Sequence, residues 1–171
     1  MKAPLGPNQG RGYACGFCHL PGGEGRPENA SLAGLPAEYI IAQTKAFRGG
    51  TRHAADRDWV PTHTMTAAVK SATDADIAAA AGWFSRQRFV SRVTVVEAAS
   101  VPVTRPLGFI LVPAPGTARE AIAGRIIEVP DDPEAFERRD PRSRFTAWVP
   151  PGSIARGAAL AEQHACLECH S

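Results

Sequence analysis

Helical periodicity is the clearest pattern in the first half of the chain. Apolar side chains recur at the spacing i, i+3, i+4, i+7, at Ile77, Ala80, Ala81 and Phe84, which is typical of a helix that packs through one narrow stripe. Thr73 precedes this stripe as a candidate N-cap. Asp74 and Asp76 would lie in the first turn, where the helix dipole favours negative charge. The pattern predicts a helix from about Asp74 to Arg88.

A second helix is predicted earlier in the chain, from about Pro36 to Phe47. Proline suits the first position of a helix, because its backbone has a fixed φ and lacks an N–H that would be unpaired there. Gly49 and Gly50 follow at the place where a helix would end. Between the two predicted helices lies the segment 61–65, which we interpret as a loop that contains proline and threonine.

The middle of the chain has a different pattern. Four runs are rich in β-branched and aromatic residues, at 89–96, 107–112, 125–129 and 145–149, and prolines separate them. This favours short strands, in a small antiparallel sheet or a wrapped linker. The charged stretch 131–140 is interpreted as a solvated turn or short helix rather than a binding site.

A helical pattern returns at Gly152, with Ser153 as its candidate cap, and continues to Cys166. Three parts are therefore predicted: a helical domain at 1–88, a β-rich or extended connecting segment at 89–150, and a final helical part at 151–171.

Composition narrows the function classes. The net charge of +2 is too small to suggest a nucleic-acid partner. No segment approaches the roughly 20 apolar residues that a membrane span needs. Residues 1–30 also lack the apolar core of a signal peptide.

The cysteines carry the strongest chemical signal. The string Cys-x-x-Cys-His occurs as Cys15-Gly16-Phe17-Cys18-His19 and again as Cys166-Leu167-Glu168-Cys169-His170, and these two copies use all four cysteines. This spacing is the attachment signature of c-type haem. Two thiols form thioethers with the two vinyl groups of one porphyrin edge, and the adjacent imidazole ligates the iron.

Three other uses of the cysteines were weighed. A four-cysteine zinc site places its pairs roughly 15–20 residues apart, whereas these pairs lie at 15–18 and 166–169. A thioredoxin-like redox pair needs a strand before the motif and a helix after it, but the first motif is flanked by glycine and proline. A disulfide framework would not require the paired histidines.

The iron needs a ligand on its other face. Met65 is the only methionine besides Met1, and its thioether is the preferred candidate, because a loop that precedes the capped helix could deliver it to the open face of the ring. The alternative use of Met65 is to fill a gap in the core. His63 is the second candidate, and His53 is interpreted as a surface histidine.

These residues together resemble bacterial class I c-type cytochromes, in particular the two-domain di-haem form. The match covers roughly 13–87, and it includes the haem motif, the run 32–40, the run 47–52, Met65, Asp74-Ala75-Asp76-Ile77 and Trp83-Phe84. The resemblance implies a mainly α fold, thioether links at Cys15 and Cys18, and His19 and Met65 as iron ligands. It also implies a proline carbonyl that orients His19, with Pro27 as our candidate and Pro21 as the alternative.

The chain departs from this family in three places. Residues 1–12 are too rich in glycine and proline for the family's first helix, and 89–150 is longer than a simple linker. The second match covers only about 152–170, where Cys166 and Cys169 would attach a second haem and His170 would ligate its iron. About twenty residues cannot fold alone as a haem domain. We therefore expect the chain to be cut within its second domain; the alternative is that the last helix packs on the rest of this protein.

The resemblance implies an exported electron carrier and not an enzyme, with haem c as cofactor and redox proteins such as a dehydrogenase, an oxidase or another cytochrome as partners. Because haem c is attached outside the cytoplasm, we expect a periplasmic or otherwise exported protein whose precursor carries a signal or anchor, and Met1 to begin a trimmed chain. Lys45, Arg48, Arg52 and Lys70 are candidate charges near the haem propionates, or plain surface residues. The alternatives are a haem enzyme or a sensor module with an open coordination position on the second haem.

Overall fold

The computed structural model describes residues 14–168, which form two compact units divided between Ser91 and Arg92. The prediction of a mainly α fold is wrong. Of residues 14–168, 38% are helical and 19% are in strands, with one three-stranded and two two-stranded sheets. The resemblance covered only the helical part, whereas the β-branched runs after residue 91 pair into sheets. The unit boundary lies three residues after the end of the predicted first part, so residues 89–91 of the predicted connecting segment belong to the first unit.

The first unit is helical. Its helices are α1 (Cys15–Cys18), α2 (Ala37–Arg48), α3 (Val60–Ser71) and α4 (Asp74–Ser85). Helix α2 packs against both α3 and α4. The core of this unit contains Ile40, Ala81 and Phe84, and Phe84 is only 2% exposed. The apolar stripe predicted on α4 therefore faces the core, as its spacing indicated.

Local signals account for the start of two helices. Thr73 caps α4 as predicted, because its hydroxyl accepts the Asp76 N–H at 3.1 Å and the Asp76 carboxylate accepts the Thr73 N–H at 3.0 Å. The predicted loop around Met65 is wrong, since Met65 lies within α3. Pro61 occupies the first turn of α3, where a missing backbone N–H costs nothing, so this proline favours a helix start rather than a loop.

The second unit is built mainly of strands. They are β1 (Val93–Glu97), β2 (Ser100–Pro102), β3 (Thr104–Leu107), β4 (Ile110–Pro113), β5 (Arg119–Ala121), β6 (Ile127–Pro130) and β7 (Phe145–Val149). The central sheet has the order β1-β7-β6, with β7 parallel to β1 and antiparallel to β6. An antiparallel pair of β2 with β5 and a hairpin of β3 with β4 form the two smaller sheets. The sheet predicted as antiparallel is thus mixed.

The two faces of the central sheet carry separate apolar clusters. Side chains alternate between the faces along a strand, so Phe145 and Trp148 of β7 join different clusters. Trp148 packs with Val101 of β2, with residues of β6 and with Ile122, which follows β5. Phe145 packs with β4 and with Phe136 of the short helix α5 (Pro133–Glu137). The short helix predicted as one reading of 131–140 is therefore present.

The last helix, α6 (Ser153–Gln163), has no buried side chain. Its N-cap is Gly152 and not the predicted Ser153. The acceptor comes from a distant residue, because the Glu97 carboxylate accepts the N–H groups of Gly152 at 3.0 Å and Ile154 at 2.7 Å. A turn of 3₁₀ helix at Cys166–Glu168 follows. None of the helices between residues 14 and 168 is long and apolar enough to cross a membrane.

Candidate functional site: an apolar cavity in the helical unit

A cavity of about 270 Å³ lies within the helical unit, and it is lined by the candidate ligands and attachment residues that the sequence predicted for the first motif. Cys15, Cys18 and His19 all line it, and so does Met65. Its walls are mostly apolar and include the core residues Ile40 and Phe84. Residues from the first motif and from α3 are thus brought to one space, although they are about fifty positions apart in sequence.

The first motif meets the cavity through one turn of helix. Residues three and four apart lie on the same face of a helix, so Cys15, Cys18 and His19 share a side. The turn closes with the His19 N–H donating to the Cys15 carbonyl at 3.0 Å. The Cys-x-x-Cys-His spacing therefore places both thiols and the imidazole together by local geometry alone.

His19 is held in one tautomer. Its Nδ1 lies 2.8 Å from the Ala30 carbonyl oxygen. Because a carbonyl only accepts, Nδ1 carries the proton, and the lone pair of Nε2 is left for another partner. Burial lowers the pKa of His19, and the bond to Ala30 opposes this only in part. The imidazole is therefore neutral at pH 7, which is the form that ligates a metal.

The assignment of the orienting carbonyl to Pro27 is corrected by this hydrogen bond. The carbonyl that accepts from His19 belongs to Ala30, and Pro27 lies exposed in the turn between Arg26 and Asn29. The carbonyl of Pro21, the alternative, instead accepts the indole N–H of Trp83 at 2.8 Å. The orienting role depends on the backbone only, so the sequence contains no side-chain signal that could identify its owner.

The Cys15 thiol does not have the character of a redox nucleophile. Burial raises the pKa of Cys15, and the negative charge of Asp76 adds to this, while a backbone hydrogen bond opposes it. Reactive cysteines of the thioredoxin type have a lowered pKa. The environment of Cys15 therefore does not favour the thioredoxin-like alternative.

Met65 and the two candidate histidines have different positions. Helix α3 lines the cavity with Pro61, Met65, Ala68 and Val69, which recur at helical spacing. His63 is exposed and is not among the cavity-lining residues of the described chain. His53 is also exposed, with Nδ1 placed 3.0 Å from the Ala54 carbonyl. Met65 is thus the candidate ligand that reaches the cavity.

The basic side chains near the motif fall into two groups, one that lines the cavity and one that pairs with a carboxylate. Arg52 lines the cavity, with its guanidinium stacked over the Phe47 ring at 5.1 Å and hydrogen-bonded to the Gln43 side chain. Arg48 and Lys45 instead pair with the Asp74 carboxylate, at 2.7 and 3.6 Å. Arg52 is therefore the one of these three that could meet a negatively charged group in the cavity.

Sequence reasoning missed two carboxylates of the cavity wall, because Asp76 was interpreted only as a residue of the first turn of its helix and Glu28 was not singled out. Glu28 lines the cavity and forms an ion pair with Arg26. Both residues stand in a glycine-rich and proline-rich stretch that resembles a solvated loop, so no periodicity or motif distinguishes them from surface charges.

The second motif is only partly within the described residues. Cys166 is exposed in the final 3₁₀ turn, whereas Cys169 and His170 lie outside the described residues. Between 14 and 168, no three His, Cys, Asp or Glu side chains converge as metal ligands, so zinc has no ligand set there. A haem iron needs only axial ligands from the protein, and this criterion does not apply to it.

The donor set of the cavity fits haem c. Two thiols, an imidazole with a fixed tautomer, a thioether, apolar walls and one arginine are the groups that attach, ligate and enclose such a cofactor. Comparisons with protein-family models, with curated proteins and with solved structures found no match to this chain.

Proposed function

We propose that this protein is an exported electron carrier that holds haem c in the cavity of its helical unit. The observation that carries the proposal is the convergence of Cys15, Cys18, His19 and Met65 on one apolar cavity. Because Met65 comes from a different helix, its position does not follow from the motif and is an independent support.

Each residue has a definite part in this function. Cys15 and Cys18 anchor the cofactor through thioethers, His19 offers Nε2 to the iron, and Met65 offers its thioether sulfur. The Ala30 carbonyl fixes the orientation of the imidazole. When bound, haem supplies one-electron chemistry between ferric and ferrous iron. The helices around the cavity keep water from this centre and hold its ligands in place.

We extend the proposal to the second motif, where Cys166 and Cys169 would attach a second haem and His170 would ligate it. The motif is chemically the same as the first. The partners would be redox proteins, which usually meet through small and transient interfaces. Covalent attachment outside the cytoplasm makes an exported location part of this proposal.

The intact mass of the denatured chain tests attachment. Produced by export in a host with the attachment machinery, the protein should carry two covalent haems. Cys15→Ala with Cys18→Ala should remove one haem, and Cys166→Ala with Cys169→Ala should remove the other. An unmodified wild-type mass would overturn the proposal, and one haem that survives the first pair of substitutions would assign attachment to the second motif alone.

The axial ligand is tested by Met65→Ala, with His63→Ala as the matched control on the same helix. Loss of the thioether should change the absorption spectrum of the oxidised protein and lower its midpoint potential, since Met/His ligation raises the potential. His63→Ala should leave both unchanged. The opposite result would assign the ligand to His63.

A further inference from the structure

A buried ion pair lies in the loop between α1 and α2. The Arg26 Nε and the Glu28 Oε1 are 3.2 Å apart, and each side chain is only 8% exposed. Paired backbone hydrogen bonds between Arg26 and Asn29, at 2.8 and 2.9 Å, close the turn that holds them. The pair is therefore a fixed element of the loop and not a mobile surface contact.

The two charges relate differently to the cavity. Glu28 lines it, whereas Arg26 is not among its lining residues within the described chain. The second carboxylate oxygen of Glu28, Oε2, is buried and accepts no hydrogen bond from the residues between 14 and 168. Buried polar atoms are almost always hydrogen-bonded, so this oxygen is an exception, and it belongs to a residue that lines the proposed haem site.

A charge in this position acts on its surroundings more strongly than a surface charge. Water and salt screen exposed charges over short distances, but buried ones much less. Of the two members of this ion pair, Glu28 lines the cavity and Arg26 is not among its lining residues within the described chain, so the negative member lies nearer to the cavity.

We propose that Glu28 tunes the reduction potential of the haem iron by favouring its oxidised state. Taking one electron from a redox partner converts Fe(III) to Fe(II) and removes one positive charge from the site. The Glu28 carboxylate stabilises the state with more positive charge, and it therefore lowers the midpoint potential. This inference rests on the proposed function, since it concerns the cofactor of the same cavity.

The test is an optical redox titration of the haem-loaded protein, comparing Glu28→Gln with Glu38→Gln. Both remove one carboxylate, but Glu38 is exposed on α2 and does not line the cavity within the described chain. At a fixed ambient potential, Glu28→Gln should raise the ratio of Fe(II) to Fe(III) at least threefold, which is about 28 mV for one electron. Glu38→Gln should leave the ratio unchanged.

A double variant keeps the test valid if Glu28→Gln fails to fold, because that substitution removes the carboxylate that lies 3.2 Å from the buried Arg26 guanidinium. Arg26→Gln with Glu28→Gln removes both charges, and its potential should lie above that of the wild type, because the charge that is removed from the cavity wall is the negative one. Equal potentials in wild type and the folded variants, with haem attached, overturn this inference and leave the proposed function standing. A wild-type protein without covalent haem overturns both.

Discussion

The loop after the first motif depends on Gly23, and Gly23→Ala offers a sharp test of how this loop is held. Gly23 has φ +77, where residues with a Cβ are strained. Its carbonyl accepts the Leu32 N–H at 2.8 Å, the Ala33 N–H at 3.0 Å and the Ser31 hydroxyl at 3.0 Å. A Cβ added here would lie 2.8 Å from Phe84 Cδ1 and 2.9 Å from the Ala33 nitrogen.

Gly50 provides a control with the same backbone conformation. Its φ is +76, but an added Cβ would meet nothing within 4 Å. Gly50→Ala should therefore show the cost of the conformation alone, about 1 kcal/mol. Gly23→Ala should add a packing cost of about 1–3 kcal/mol, because a backbone atom and a buried ring must move. The total is about 2–4 kcal/mol.

Hydrogen exchange, resolved to individual peptides of the intact chain, measures how much each substitution lowers the local free energy of unfolding. Exchange in α4, which carries Phe84, should become roughly 30- to 1,000-fold faster in Gly23→Ala, since each 1.4 kcal/mol is a factor of ten. In Gly50→Ala the factor should be about five for about 1 kcal/mol. Peptides of β7 in the other unit serve as an internal reference. Equal effects of the two substitutions on α4 would refute the reasoning from contacts.

Three further predictions concern the second unit. Glu97→Gln should speed hydrogen exchange at the start of α6. The backbone hydrogen bonds that Glu97 accepts there lower its pKa below 4.5. In wild type, the start of α6 should therefore be protected from exchange above pH 4.5, and this protection should fade as the pH falls through the lowered pKa. Phe136→Ala should destabilise the unit by about 3–5 kcal/mol in urea unfolding, because its ring is 3% exposed. Arg142→Ala should raise the pKa of Asp140 from about 2 toward 3.8 in an NMR titration, since the guanidinium hydrogen bonds lower it.

Each of these has a matched control. Glu137→Gln removes an exposed carboxylate away from α6 and should not change exchange there. Phe109→Ala removes a ring that is 49% exposed and should cost much less than Phe136→Ala. Arg144→Ala should leave Asp140 unchanged. If a control variant matched its partner, the named contact would not be the cause.

Several features could be predicted because they depend on neighbours in sequence. The spacing of Cys15, Cys18 and His19 places three functional groups on one helical turn, whatever the rest of the chain does. Thr73 and Asp76 cap α4 by the same kind of local geometry. The strand at Phe145–Val149 was predicted at its observed bounds, since its β-branched and aromatic residues end at Pro150.

Other features depend on contacts between distant segments, and only the tertiary structure decided them. The parallel pairing of β1 with β7 joins strands about fifty residues apart, so no local pattern specifies it. The orientation of α3 decides that Met65 and not His63 lines the cavity. The path of the loop between α1 and α2 places the Ala30 carbonyl within hydrogen-bond distance of the His19 imidazole. Burial of the Arg26–Glu28 pair likewise follows from packing. Spacing and residue type are local, so the sequence pattern identified the two thiols, the imidazole and the thioether of the candidate site, but not Glu28 or the Ala30 carbonyl. Packing decided which of them meet, because the burial and partners of a side chain depend on chain segments far from it in sequence.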